Sequence, residues 1–203
     1  MTGGAIAGTE EKRLDLNNFQ GVAVEGSTNA IIRQGAGFAV VAKGTREALD
    51  LLDPVVEKGT LILKPKRRLV IGYVKSHPPV TVYITMPAIS RFAISGSGEG
   101  TLENIQAKAI TLAIAGSGDI RASGTCETLS AKIAGSGDIA AHNLRCGRVE
   151  AKIAGSGDIS AHATTSALAK IAGSGDIHIH GNPSSREVST TGSGEIQFVG
   201  TTR

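Results

Sequence analysis

A four-residue unit, Gly-Ser-Gly followed by an acid, occurs six times between residues 96 and 195, and its spacing constrains the fold more than any other feature. The copies are Gly96-Ser97-Gly98-Glu99, Gly116-Ser117-Gly118-Asp119, Gly135-Ser136-Gly137-Asp138, Gly155-Ser156-Gly157-Asp158, Gly173-Ser174-Gly175-Asp176 and Gly192-Ser193-Gly194-Glu195. Their first glycines lie 20, 19, 20, 18 and 19 residues apart. Similarity at a near-fixed period marks a stacked-repeat architecture, in which each unit buries its apolar face only against its neighbours.

The residues around each copy alternate with period two, as in Leu129-Ser130-Ala131-Lys132-Ile133 before one copy and Ile139 and Ala141 after it. That period belongs to strands. Two strands of about five residues and two tight corners consume about 19 residues, so each unit fits one coil of a flattened, single-stranded parallel β-helix, an all-β fold with coils about 4.8 Å apart. Glycine supplies the backbone freedom for the corner, and Ser and Asp side chains can bond its exposed amides. The inward positions carry Ile114, Ile133, Ile153 and Ile171 and then Ile120, Ile139, Ile159 and Ile177, with the small Ala131, Ala151 and Ala169 facing them. Composition agrees with so thin an interior: 203 residues hold no Trp, four Phe and two Tyr, which leaves the core to aliphatic side chains.

Ahead of the repeats, segments near 21–25, 29–33, 37–42, 60–64, 69–75 and 80–86 read as strands and Thr45 to Leu52 as a helix. Pro78-Pro79 and Pro87 are breaks, but the last strand leads directly into the first Gly-Ser-Gly. The expected organisation is a flexible segment over 1–12 and one β-helix domain over 13–203, irregular in 13–90 and regular in 91–203.

A net charge of +3 supplies little long-range attraction for nucleic acid, and no apolar run is long enough to cross a bilayer as a helix. The one basic cluster, Lys64, Lys66, Arg67 and Arg68, reads as a solvated turn or a small polyanion patch. The opening Met1-Thr2-Gly3-Gly4-Ala5-Ile6-Ala7 lacks the basic region and apolar stretch of a signal peptide. Two expectations follow: a cytosolic chain, or one whose export signal lies outside this sequence.

Several segments carry a resemblance to a known family. Asn18-Phe19-Gln20-Gly21-Val22-Ala23-Val24, Ile31-Ile32-Arg33-Gln34-Gly35, Glu57-Lys58-Gly59-Thr60-Leu61-Ile62-Leu63 and Val82-Tyr83-Ile84-Thr85-Met86-Pro87, followed by the Gly-Ser-Gly-Asp-Ile series, resemble the head GIN domain family of auto-transporter adhesins over nearly the whole chain. The resemblance implies a parallel β-helix similar to that of pectin-lyase-like folds, with right-handed winding. It also implies export to the periplasm or cell surface, a role in adhesion, and no catalytic residues.

Three columns of side chains are candidate sites. Carboxylates stacked about 4.8 Å apart repel by about 1 kcal/mol even in bulk water, so the column Glu99, Asp119, Asp138, Asp158, Asp176 and Glu195 needs relief, either from Ca²⁺ or from turn amides. His142, His162 and His180 each stand seven residues beyond the first glycine of their coil and would stack along one edge, as a three-histidine zinc ladder or as solvated imidazoles. Cys126 and Cys146 each lie nine residues before the next Gly-Ser-Gly, hence in register on adjacent coils, either bridged or as two small buried thiols. The repeated serines are not nucleophiles in this reading, since a nucleophile occurs once in a special setting. No glycine loop here opens a helix as phosphate binding requires.

The expected function is therefore a non-enzymatic exported module that displays polar rows, Ser130/Lys132, Glu150/Lys152 and Lys170, to a polysaccharide or a cell-surface protein, without a cofactor. The alternatives are a self-assembling scaffold, in which coils of copies stack through their unpaired edges, and a carbohydrate-active enzyme with acids and bases clustered in a groove outside the columns.

Overall fold

The structure, a computed structural model, describes residues 9–66 and 80–200. Its strands are β1 (Glu10–Leu14), β2 (Gly21–Gly26), β3 (Asn29–Gln34), β4 (Ala39–Gly44), β5 (Leu52–Glu57), β6 (Thr60–Pro65), β7 (Thr81–Met86), β8 (Arg91–Gly96), β9 (Glu99–Gly116), β10 (Asp119–Gly135), β11 (Ile139–Gly155), β12 (Ile159–Gly173), β13 (Ile177–His180), β14 (Ser185–Gly192) and β15 (Ile196–Val199). One helix, α1 (Arg46–Leu51), is capped by Thr45, whose hydroxyl accepts a hydrogen bond from the Ala48 amide. It occupies the segment read as helical from the sequence. The segment 69–75, Pro78-Pro79, Arg67, Arg68 and residues 1–8 of the expected flexible segment lie outside the described residues. Glu10 to Lys12, also assigned to that segment, are in β1, which pairs with β4.

From β9 onward the chain winds as a parallel β-solenoid of about five turns. Successive coils pair in register: Ile114, Ile133, Ile153 and Ile171 form one inward column, and Ile120, Ile139, Ile159, Ile177 and Ile196 another. The sequence reading of two five-residue strands per coil is corrected here. β9 to β12 are ladders of 15 to 18 residues interrupted only at Gly-Ser-Gly. Their other corners are slips in the inside–outside alternation. In β11, His142 and Asn143 both face out between buried Ala141 and Leu144, and Gly147 and Arg148 both leave the core between buried Cys146 and Val149. The ladder register shifts at such bends and resumes within a few residues, as at a β-bulge, so the coil gains a corner without a long loop.

The 18-residue coil shows how length is trimmed. Ala141 pairs with Ala161, but the next pair is Arg145 with His162, so residues 142–144 have no partner in β12, which omits that corner.

The N-terminal half does not stack in chain order. β2 lies between β6 and β8, and β3 lies between β7 and β9. The coil built from residues 21–34 is thus clamped between strands that follow it in sequence. Beyond β7, the antiparallel β4 and then β1 cover the sheet edge, and β5 covers β6. One buried cluster, aliphatic apart from Phe19, Phe92, Met86 and Cys146, runs from Phe19 through Ile179.

Candidate functional site

The Gly-Ser-Gly copies line up along one edge: Gly96, Gly116, Gly135, Gly155, Gly173 and Gly192 are successive partners. Both glycines of each copy are needed for close approach to the neighbouring coil, and the first also for its backbone: Gly155 has φ 142°, which L side chains rarely adopt. A Cβ on Gly157 would stand 2.9 Å from the Gly137 carbonyl carbon and closer still to its oxygen. The serine between them is exposed, and its backbone amide continues the ladder: Ser156 N–H donates to Gly135 O at 2.9 Å, Ser174 to Gly155 O at 2.9 Å. Ser97, Ser117, Ser136, Ser156, Ser174 and Ser193 therefore form an exposed hydroxyl row held by glycine geometry.

The acids beside that row are joined along the solenoid axis. Oδ1 of Asp119 accepts the Asp138 amide at 3.0 Å, Asp138 that of Asp158 at 2.8 Å, Asp158 that of Asp176 at 2.7 Å, and Asp176 that of Glu195 at 2.8 Å. Each negative charge thus receives a backbone donor from the next coil, a charge-assisted bond that offsets part of the repulsion within the column. Asn29 plays the same part for the Glu99 amide at 2.9 Å. The ladder skips one rung. The Asp119 amide donates to Gly98 O at 3.2 Å, while the Glu99 carboxylate, one methylene longer, reaches toward Arg121 at 3.8 Å. No three His, Cys, Asp or Glu side chains converge as a metal-binding group among the described residues.

The histidines are brought together, but not as three stacked rings. Because β12 omits its corner, His162 pairs with Arg145 on one side and His180 on the other. His142 and His180, two coils apart, approach to 5.6 Å between ring centroids across Ser160, whose hydroxyl lies 3.4 Å from His142 Nδ1 and 3.0 Å from His180 Nε2. The expected ladder is corrected to a pair bridged by a serine with His162 to one side. Burial lowers the pKa of His180, helped by the neighbouring His142, His162 and His178. Burial, with help from Arg145, lowers that of His162. Both imidazoles favour the neutral form.

Cys126 and Cys146 are partners in register and form a disulfide with Cα atoms 4.5 Å apart. It ties two adjacent coils on the opposite stretch from the Gly-Ser-Gly edge.

On the arm that ends at each Gly-Ser-Gly, outward residues form rows. Lys132, Lys152 and Lys170 are in register, flanked by the exposed alanines Ala134, Ala154 and Ala172, and together they line a shallow, largely apolar groove of about 480 Å³. Lys152 pairs with Glu150, and Lys170 lies 3.5 Å from Glu187. The Lys152 ammonium holds the Glu150 carboxyl below its ordinary pKa, with a smaller contribution from Lys132.

Two clefts lie outside the regular columns. One, walled by residues near 18–21, 38, 58–60 and 87–91, carries no carboxylate, imidazole or thiol. The other gathers Glu25, Asp53 and Glu57 about Lys64. Sequence reasoning missed both clefts, and the one signal for the first was its turn chemistry, Asn17-Asn18 and Lys58-Gly59.

A family model described as "Putative auto-transporter adhesin, head GIN domain" matches residues 18–183. No curated protein matches the chain. Among solved structures, a putative adhesin from Bacteroides fragilis superposes with TM-score 0.75 at 23% identity, covering 95% of this chain and 97% of that one. A putative adhesin from Parabacteroides merdae gives TM-score 0.57 at 14% identity, covering 94% and 96%. A protein from Parabacteroides distasonis described as a putative lipid binding protein gives 0.55 at 22%, covering 96% and 98%. At these identities the likeness establishes the fold alone.

Proposed function

We propose, from the premise that this chain belongs to the head GIN domain family of auto-transporter adhesins, that it is a non-enzymatic adhesion module working outside the cytoplasm and displaying ligand-binding rows on a stiff solenoid. The observation that carries the reading is the in-register row Lys132, Lys152 and Lys170 beside Ala134, Ala154 and Ala172. The ladder holds the backbone of these lysines at coil spacing, so an extended anionic polymer that displaces Glu150 and Glu187 from Lys152 and Lys170 meets several cations at once. The Cys126–Cys146 bridge supports an extracytoplasmic site, because disulfides persist in oxidising compartments.

The test is retention of the purified chain on immobilised anionic polysaccharides across a salt series. Salt-dependent retention that falls when Lys132, Lys152 and Lys170 are all changed to Gln is the expected result. Absence of retention on every surface, or equal retention of the triple variant, overturns the reading. Self-assembly has one observation in its favour: among the described residues β14 and β15 each have a single ladder neighbour, and Val188 is 54% exposed. At the other end β1 and β5 likewise have one ladder neighbour each among the described residues, and they meet those neighbours antiparallel rather than as stacked coils.

A further inference from the structure

We propose that the cleft walled by the loop before β2, the β5–β6 turn and the loop before β8 binds an anionic sugar residue. The inference rests on the adhesion reading and names a ligand class for it. The cleft measures about 610 Å³, within the range of small-ligand sites. Lys58 and Arg91 stand exposed in its lining, which holds no Asp or Glu, and no carboxylate pairs with either cation among the described residues. The charge is therefore uncompensated, and what it complements is an anion.

The rest of the lining is suited to a sugar rather than to an inorganic ion. Phe38 is half-buried and fixed against the buried Phe19, ring centroids 4.9 Å apart, and so offers a rigid apolar surface to the C–H face of a pyranose. Asn18, Gln20 and Ser90 present amide and hydroxyl groups around it. The walls are already tied to one another. Gln20 and Gly21 amides donate to Gly59 O at 2.9 and 3.1 Å, and the Ser90 amide and hydroxyl donate to Gln20 O at 2.8 and 3.2 Å. Among the described residues, two of the three non-glycine residues with left-handed backbone, Asn18 (φ 61°) and Lys58 (φ 49°), sit in this rim. Lys58 takes that φ in the two-residue Lys58-Gly59 turn that joins β5 to β6, and the turn fixes its place in the wall. An Arg guanidinium suits the two-oxygen geometry of a carboxylate or sulfate, with Lys58 as a second charge.

Calorimetry on the whole chain at low salt tests this with trigalacturonate, a sulfated disaccharide, neutral maltotriose, acetate and inorganic sulfate. One or both anionic sugars should bind at least about tenfold more tightly than maltotriose and than the free anions, and the arm that binds distinguishes carboxylate from sulfate. Arg91→Gln and Lys58→Gln should each weaken binding about tenfold or more, the loss expected for a charge-assisted bond. Phe38→Leu should weaken it with an unchanged circular dichroism spectrum. The proposal is overturned if no anionic sugar binds, if maltotriose or a free anion binds as well, or if both charge variants bind as tightly as the parent. Polysaccharide retention that depends on Lys132, Lys152 and Lys170 but not on Arg91 or Lys58 would remove the cleft and leave the adhesion reading intact.

Discussion

Replacing Gly157 by Ala tests whether coils stack as closely as the corner requires. The added methyl would be wedged against the Gly137 peptide, and real Cβ atoms essentially never come within 3.0 Å of a heavy atom, so the two coils have to part by roughly 1 Å at that edge. Two bonds flank the position: Ser156 N–H to Gly135 O at 2.9 Å and Asp158 N–H to Asp138 Oδ1 at 2.8 Å. A shift of that size takes both to the limit of hydrogen bonding, at about 0.5–1.5 kcal/mol each. Displaced packing adds about 1–3 kcal/mol. A total near 4 kcal/mol corresponds to a fall in Tm of roughly 8–16 °C for a chain of this size. Gly37→Ala is the control, since a methyl there meets nothing within 4 Å and the φ is not left-handed. Thermal and urea unfolding followed by circular dichroism compare the two. Melting of Gly157→Ala within about 2 °C of Gly37→Ala would refute the close stacking and with it the reason for the second glycine.

Three further outcomes follow from the columns. Asp158→Ala removes the acceptor for the Asp176 amide and should cost about 1 kcal/mol, whereas Asp158→Asn keeps an acceptor oxygen and sheds charge, so it should be neutral or stabilising by urea midpoint; equal losses would contradict a ladder made by Oδ1. Reducing the Cys126–Cys146 bridge, which closes a sequence separation of 20, should cost about 3 kcal/mol, read as a lower melting temperature with reductant that Cys126→Ser reproduces without it. With His162 and His180 held below their ordinary pKa of 6.5, the unfolded chain binds more protons than the folded one as the solution is acidified. Their contribution is present above about pH 6.5 and lost as pH falls. The drop in urea midpoint between pH 7.5 and 5.5 should shrink when both are changed to Gln, and an unaltered drop would place its origin elsewhere.

The repeat and its inward isoleucines were legible because one strong period governs both, and a period survives without knowledge of neighbours. So was the helix, with Thr45 as cap. Three features depended on pairing, which a strand pattern does not carry. The seven-residue offset of His142, His162 and His180 predicts a ladder only if every coil turns at the same places, and the 18-residue coil drops the turn at 142–144. β5 was hidden because Pro54 lowers its strand signal, and Pro is tolerated there because, among the described residues, β5 pairs only with β6, at the sheet edge. The Lys58/Arg91 cleft was invisible because its walls come from four segments separated by up to some seventy residues.

The out-of-order stack explains why the two candidate surfaces lie where they do. In the sequential half, each coil returns directly above the last, so connections shrink to a glycine corner or a bulge-like bend, and the surface holds rows. In the N-terminal half, the coil of residues 21–34 is completed on one side by β8 and β9 and on the other by β6 and β7, so the chain has to leave the stack and come back. Those excursions supply the β5–β6 turn and the loop at 87–90, and these wall the cleft. The same detour brings β1, β4 and β5 antiparallel onto strands that would otherwise present open edges. The chain's departure from regular winding thus has two structural consequences with one cause: antiparallel partners for β6 and β7, and a recess walled by the excursions themselves.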